Sequence, residues 1–442
     1  MALNNILFRQ IDNSALIVFR IFFGLLCALE AFGAIVTGWV RQVLVEPQFT
    51  FSFIGFEWLQ PLPGSGMYIY YAIMGVFALM IMLGYKYRFS MVAFTLLWTG
   101  SYLMQKSSYN NHYYLLMLLS AIMVFLPANR YASLDAKWNP SIKKINMPYW
   151  CKLVFVMQLL IVYTYAAIAK LYPDWFNTNF IEVLMRGKIN HVFIGGFLQQ
   201  KWLHNLLVYG GVLFDALVIP LLLYKPTRKW IFAISIIFHL FNSIVLHIGI
   251  FPYLSLAFSL FFFEAKTIQK LFLKRKPFYS GAEIEIPRFR RLFLSVFLVY
   301  FTVQLILPLR HHFITGDVLW TEEGHRLSWR MMLRSRSGLT TYTVVDKASD
   351  AKFVIDMSNY LTPKQQRSAS SKPDIMWQFA QRLHEEFKKN GQDVAVYVDA
   401  KVSINGAPFQ QLTDPNVDLA SVQWQPLEHS SWILPYNSEK RK

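Results

Sequence analysis

A chain of 442 residues, 55% of them hydrophobic and 17% aromatic, with a mean hydropathy of +0.32, is too apolar for an ordinary soluble protein and reads as a polytopic α-helical membrane protein. The formal charge of +17 does not indicate nucleic acid, because the lysines and arginines collect in short loops between apolar runs, where they report membrane orientation. Cys27 and Cys151 both lie in or at apolar runs, which excludes a disulfide-stapled outer domain, and no pattern marks a structural metal site.

Apolar runs flanked by polar or turn residues predict about nine transmembrane helices. They span Ala15 to Val36, Met67 to Gly84, Ser90 to Met104, Tyr113 to Pro127, Trp150 to Ala169, Trp202 to Tyr224, Trp230 to Ile248, Phe251 to Phe263 and Leu292 to Pro308. The third, fourth and eighth are short. The first contains Arg20 and Glu30 and is followed by no small-residue cleavage site, so it is expected to be an uncleaved span. One set of alternate loops is rich in basic residues, among them Lys143, Lys144, Arg228, Lys229 and Arg275, whereas the opposite loops between the first and second and the third and fourth spans offer only Arg41 and Lys106. The positive-inside rule then puts the N-terminus in the cytoplasm and residues 309–442 outside, as an extracytoplasmic domain following a transmembrane domain of residues 1–308. For a prokaryotic source this means the inner membrane and the periplasm.

Taken in order, the loop FTFSFIGFEWLQPLPGSGM after the first span has the aromatics, Gly and Pro of a segment lying on the membrane. Asn110, Asn111 and His112 stand together where the fourth span begins. An Asn caps helices and a His suits the interface, yet three hydrogen-bonding groups in a row also suit a site. Lys170 closes the fifth span, just before Pro173 and Trp175. Its position fits a lysine anchoring the helix end at the headgroups. It equally fits a lysine whose ammonium form is disfavoured by apolar surroundings and which acts as a base.

Asp215 lies near the middle of the sixth span, where a carboxyl must be paired, protonated or turned to a cavity. The seventh carries His239, Asn242 and His247, with the first two on one helical face. Residues 307–338 are dense in Arg, His and Trp, and Arg326, Arg330 and Arg334 are four apart, so a helix there would present one basic stripe to headgroups or to a carboxylate. The remainder reads as a small α+β domain. Strands are predicted over 341–345, 352–355 and 393–404, a helix over 373–389, and a hairpin turn at Asn405-Gly406.

The predicted topology brings Lys170, Asn110 to His112, Asn242, His247 and the 310–336 strip toward one membrane face, with His239 deeper. At these residues the chain resembles a known family. The segments NNHYYL, VYTYAAIAKLYPDW, FHLFNSIVLHIGIFPYLSL and EGHRLSWRMMLRSRSG, with KVSINGAPFQQLTDPNVDL and WILPY beyond the membrane part, resemble the vitamin K-dependent gamma-carboxylase family, also called the horizontally transferred transmembrane domain family. The resemblance covers nearly the whole chain.

The resemblance implies an enzyme that couples oxidation of a reduced vitamin K, a menaquinol or phylloquinol, to its epoxide with carboxylation of glutamate in a protein or peptide substrate. O2 and CO2 would be co-substrates. By the same carry-over Lys170 is the base and Asn111 and His112 orient the hydroquinone. Asn110, His239, Asn242 and His247 would line its cavity. His325, Trp329, Arg330, Arg334 and Arg336 would receive the glutamate. The expected partners are the bilayer, a lipophilic quinone and a glutamate-containing substrate, and no nucleic acid. The family's vertebrate members carry a longer outer region, the disulfide expected in them has no counterpart in Cys27 and Cys151, and His325 and Leu327 fall where aromatic residues are expected. Hydroquinone epoxidation without carboxylation, non-catalytic binding of a quinone or lipid, and transport are the other readings that the residues leave open.

Overall fold

The computed structural model describes residues 2–437. A short helix, α1 (Ala2–Phe8), leads through strand β1 (Gln10–Asp12) into α2 (Ser14–Val36), which packs antiparallel against α3 (Gly66–Leu83). Their crossing is close because Gly24 lies directly on the Met82 backbone, where a side chain would collide. Helices α4 (Tyr87–Met104) and α5 (Asn111–Phe125) follow, then α6 (Leu134–Trp138) in the next loop and strand β2 (Asn146–Pro148), which pairs antiparallel with β1. Helix α7 (Trp150–Ala169) leads into an excursion holding α8 (Pro173–Phe176) and α9 (Asn179–Arg186). The chain returns as α10 (Lys201–Leu223), α11 (Arg228–Ile244), α12 (Phe251–Phe258), α13 (Ala265–Phe272) and α14 (Arg290–Ile306).

Among the described residues, five helical runs are long and apolar enough to cross a membrane: Ser14–Val36, Gly66–Leu83, Trp150–Ala169, Lys201–Leu223 and Arg290–Phe313. Nine such runs were expected. The other four stretches are helical but shorter or more polar. For example, α5 has 15 residues, or about 22 Å of helix against a hydrocarbon core of about 30 Å.

After α14 the chain forms a short helix, α15 (Val318–Thr321), and then the α+β domain. Its sheet is wholly antiparallel in the order β4-β3-β5-β6, with β3 at Arg336–Asp346, β4 at Lys352–Ile355, β5 at Val394–Ile404 and β6 at Gln410–Gln411. Helix α16 (Pro363–Ala369) begins with a capping box between Thr362 and Gln365, and α17 (Pro373–Lys389) begins with its proline in the first turn. Phe379 and Leu383 of α17 share one core with Tyr342, Val396 and Val398 of the sheet.

The aromatic loop after α2, read from sequence as lying on the membrane, packs instead against this domain. Phe51 is in the domain core and Phe49 packs on it. Gln365 Nε2 donates to the Phe49 carbonyl at 2.8 Å and Gln378 Nε2 to that of Ser52 at 3.0 Å. The domain is further fastened by a buried cluster in which Asp374 accepts from Arg326 and meets Lys106 at 2.9 Å. It therefore sits over the bundle end that carries the C-terminus of α7 and the N-terminus of α5.

Candidate active site

Lys170 is the residue at which α7 stops; the extended Tyr172 and Pro173 then turn the chain into α8. Its side chain does not reach toward headgroups. Lys170 is only 7% exposed, and its ammonium is ion-paired with Asp215 of α10, a residue equally buried. The same Nζ lies 3.3 Å from the Ala166 carbonyl and 5.4 Å from the centre of the Trp175 ring. The helical spacing of α10 explains the pairing, because Leu207, Gly211 and Asp215 fall on one face, and that face lines a cavity.

The cavity has a volume of about 100 Å³. Lys170 and Asp215 stand on its wall with His112, Tyr163, Asn242 and Phe251, and α9 closes it with Phe180, Ile181, Leu184 and Met185. Met331 and Met332 close it on the side of the basic strip. An apolar lining with a few convergent polar groups is the usual composition of a site for a lipophilic small molecule. His112 stacks on Phe251 with ring centres 4.4 Å apart. His239, 2% exposed, lies behind the wall with Nε2 3.3 Å from the Tyr163 hydroxyl and with edge contacts to Phe214 and Phe238.

The remaining predicted residues occupy different places. Asn110 is the cap of α5 and accepts from the Tyr113 N–H at 2.8 Å. Asn111 points away from the cavity, donating to the Arg330 carbonyl at 2.9 Å and accepting from the Tyr109 hydroxyl at 2.7 Å, so it pins the basic strip. Asn242 lines the cavity, whereas His247 is exposed beyond the end of α11 and meets Lys188 at 3.2 Å.

The basic strip is not a helix, and its arginines do not form one stripe. It runs as irregular turns in which Leu327, Trp329 and Met332 take left-handed backbone angles, with φ of 58°, 55° and 52°. Such angles are strained for side-chain-bearing residues and persist only where the surroundings impose them. Trp329 supplies part of that, being fully buried and stacked on Tyr114 at 4.8 Å.

Each arginine takes its own partner. Arg326 is bidentate to Asp374, Arg334 is paired with Glu322, and Arg336 donates to the carbonyls of Leu319, Trp320 and Ser371 while standing 3.5 Å from Glu322. Arg330 has no carboxylate within ion-pair distance among the described residues, and meets His311 at 3.4 Å. It lines a second cavity, of about 480 Å³, with His311, His312, Tyr172 and Asp317. Residues 328–332 thus divide the first cavity from this second one.

Electrostatics around the strip follow from burial among like charges. Burial, then Arg330 and Arg326, push His325 well below the usual histidine range. Burial lowers Arg334 and Arg336 to about 9, which leaves both charged at neutral pH. Asp374 would be raised by burial, but Arg326 and Lys106 outweigh that and hold it well below the usual carboxylate range.

Sequence reasoning placed Asp215 at a depth requiring a partner but did not supply that partner; the distance of 45 positions between Lys170 and Asp215 leaves no local signal. Tyr163, Met331, Met332 and the face of α9 were missed for the same reason.

Residues 8–266 match the family model for the HTTM domain, and residues 289–439 match that for the lumenal domain of vitamin K-dependent gamma-carboxylase. No solved structure matches the chain. The two matches together take in the bundle, the cavity and the α+β domain, and the chain belongs to the vitamin K-dependent gamma-carboxylase, or HTTM, family.

Proposed function

We propose that this protein oxidises a reduced vitamin K in the apolar cavity beside Lys170 and uses that reaction to carboxylate glutamate presented from the second cavity, at Arg330. When bound, the reduced vitamin K supplies, with O2, the oxidation to the epoxide that drives carboxylation with CO2. The observation that carries the proposal is the buried Lys170–Asp215 pair on the wall of a cavity lined mostly by apolar side chains.

An ammonium cannot accept a proton. Lys170 serves as a base only if the proton it already holds has somewhere to go, and Asp215 is in contact to receive it. Lys170 then takes a proton at Nζ from the cavity side. His112 and Asn242 offer hydrogen-bonding groups that orient a ring in the cavity, and the packed faces of α9 and Met331 keep out water. On the far side of the 328–332 wall, Arg330 is the guanidinium not already committed to a carboxylate, and Asn111 holds its backbone in place. A free guanidinium suits a carboxylate bidentately. The proposal includes nine membrane crossings, a cytoplasmic N-terminus, and the α+β domain on the opposite side, supported by the uneven distribution of Lys and Arg among the loops.

Purified protein in lipid, given vitamin K hydroquinone and O2, is expected to form the epoxide. With a glutamate peptide and labelled CO2 it is expected to incorporate label. Folded protein that forms no epoxide contradicts the proposal, and epoxide without labelled peptide restricts it to hydroquinone oxidation.

A further inference from the structure

Between α7 and α10 the chain makes an excursion whose tip, Val192 and Phe193, is 87% and 90% exposed. The tip is not a slack loop. Gly195 N–H donates to the His191 carbonyl at 2.9 Å, Leu198 N–H to that of Ile194 at 2.9 Å, and Gln199 Nε2 to that of Met185 at 2.8 Å. Gly195 is packed so tightly on the carbonyls of Ile189 and His191 that a side chain there would collide. Beneath the tip, Leu198, Met185, Phe180 and Trp175 form one small core with Leu203 and Val208 of α10. A built turn therefore holds two large apolar side chains outward.

The surface next to the tip identifies what covers it. Trp202, Leu206, Tyr209 and Leu213 of α10 are all more than half exposed, and at spacings of four, three and four they form one stripe along a membrane-crossing helix. That stripe faces lipid, and Phe197, Ile189 and the tip continue it past the end of the helix. Arg186 and Lys201 are exposed beside it, with Lys188 close by. Exposed apolar side chains flanked by cations form the pattern of a segment set into the acyl–headgroup boundary.

We propose that Val192 and Phe193 insert into the leaflet on the side of the α+β domain, with Arg186, Lys188 and Lys201 at the level of the lipid phosphates. The excursion then acts as a membrane-seated wall of the cavity, because α9 lines that chamber on its other face with Phe180, Ile181, Leu184 and Met185. On this side of the chamber, the excursion is what stands between it and the bilayer. Insertion of the tip stands independently of the proposed chemistry.

The test is spin labelling of Phe193→Cys in vesicles of phosphatidylcholine and phosphatidylglycerol. Cys27 and Cys151 are fully buried, and unsubstituted protein gives the labelling blank. Leu213→Cys marks the lipid-facing stripe, and Lys388→Cys, exposed near the end of α17, marks water. The Phe193 label is expected to fall between Leu213 and Lys388, with a ratio of oxygen to water-soluble nickel collisions several-fold above that at Lys388. Adding Val192→Asp should lower that ratio toward the Lys388 value while leaving Leu213 unchanged. A Phe193 label as open to nickel as Lys388 overturns the proposal, as does one immobilised and shielded from both reagents, which would mean that protein covers the tip. If Phe193→Cys fails to fold, Ile189→Cys reads the same face. An inserted tip in a protein that forms no epoxide would refute the enzymatic proposal and leave this one standing.

Discussion

Arg330 and Arg334 are four residues apart and identical in chemistry, yet their partners separate them. Arg334 neutralises the buried Glu322. Removing it leaves an uncompensated buried charge, so Arg334→Ala is expected to destabilise the fold by about 3–5 kcal/mol. Arg330 has no carboxylate to abandon. Arg330→Ala should leave the thermal midpoint and the epoxide rate nearly unchanged while lowering carboxylation of a glutamate peptide by about 30-fold, equivalent to about 2 kcal/mol. Parallel loss of both activities would make Arg330 structural. Lys372 gives a pH signature. Burial, then the neighbouring Arg326, lower it to about 7, against about 10.4 in an unfolded chain. Between those values the unfolded state binds more protons, so stability rises with pH across that window. The thermal midpoint is expected to rise from pH 7 toward pH 10, and Lys372→Met should raise it at pH 7 and flatten the profile. A midpoint that falls over that range would contradict this.

At the scale of elements, local chemistry was enough wherever a helix or strand is set by its own sequence. The helix at Pro373–Lys389 and the strand at Val394–Ile404 lie where the proline and the alternating pattern put them. Asn405 and Gly406 take the left-handed angles of a hairpin turn, with φ of 54° and 79°. The strip at 325–336 is the opposite case. Arginine spacing suggested a helix, but a helix cannot at once give Arg326 to Asp374, Arg334 to Glu322 and Trp329 to Tyr114. Tertiary partners decide its path, and non-glycine residues at left-handed angles carry no sequence signal for it. Trp329 is the keystone of that path. Trp329→Ala is expected to cost about 3–5 kcal/mol and to expose the wall between the two cavities to proteolysis near Arg330. Unchanged thermal stability would show that the strip is held elsewhere.

At the scale of the whole molecule, loop charge predicted an orientation, and the contacts place Lys170, His112 and the α+β domain at one end of the bundle. A thiol-reactive label applied to intact cells is expected to modify Lys388→Cys, which is exposed, and to leave Ser371→Cys unmodified, because Ser371 is 4% exposed. Modification of Lys388→Cys only after permeabilisation would reverse the orientation. The central claim concerns the buried pair at this end of the bundle, and epoxide formation by variants of that pair tests it most directly. Lys170→Arg keeps the charge and the ion pair but cannot give up its proton, and Asp215→Asn keeps the shape but cannot receive one. Both are expected to fold and to lose at least about 100-fold of the epoxide rate; any residual activity of Asp215→Asn should climb with pH as solvent takes over the removal of the Lys170 proton. Epoxide formation by Lys170→Arg at a rate near that of the unsubstituted protein would contradict the account.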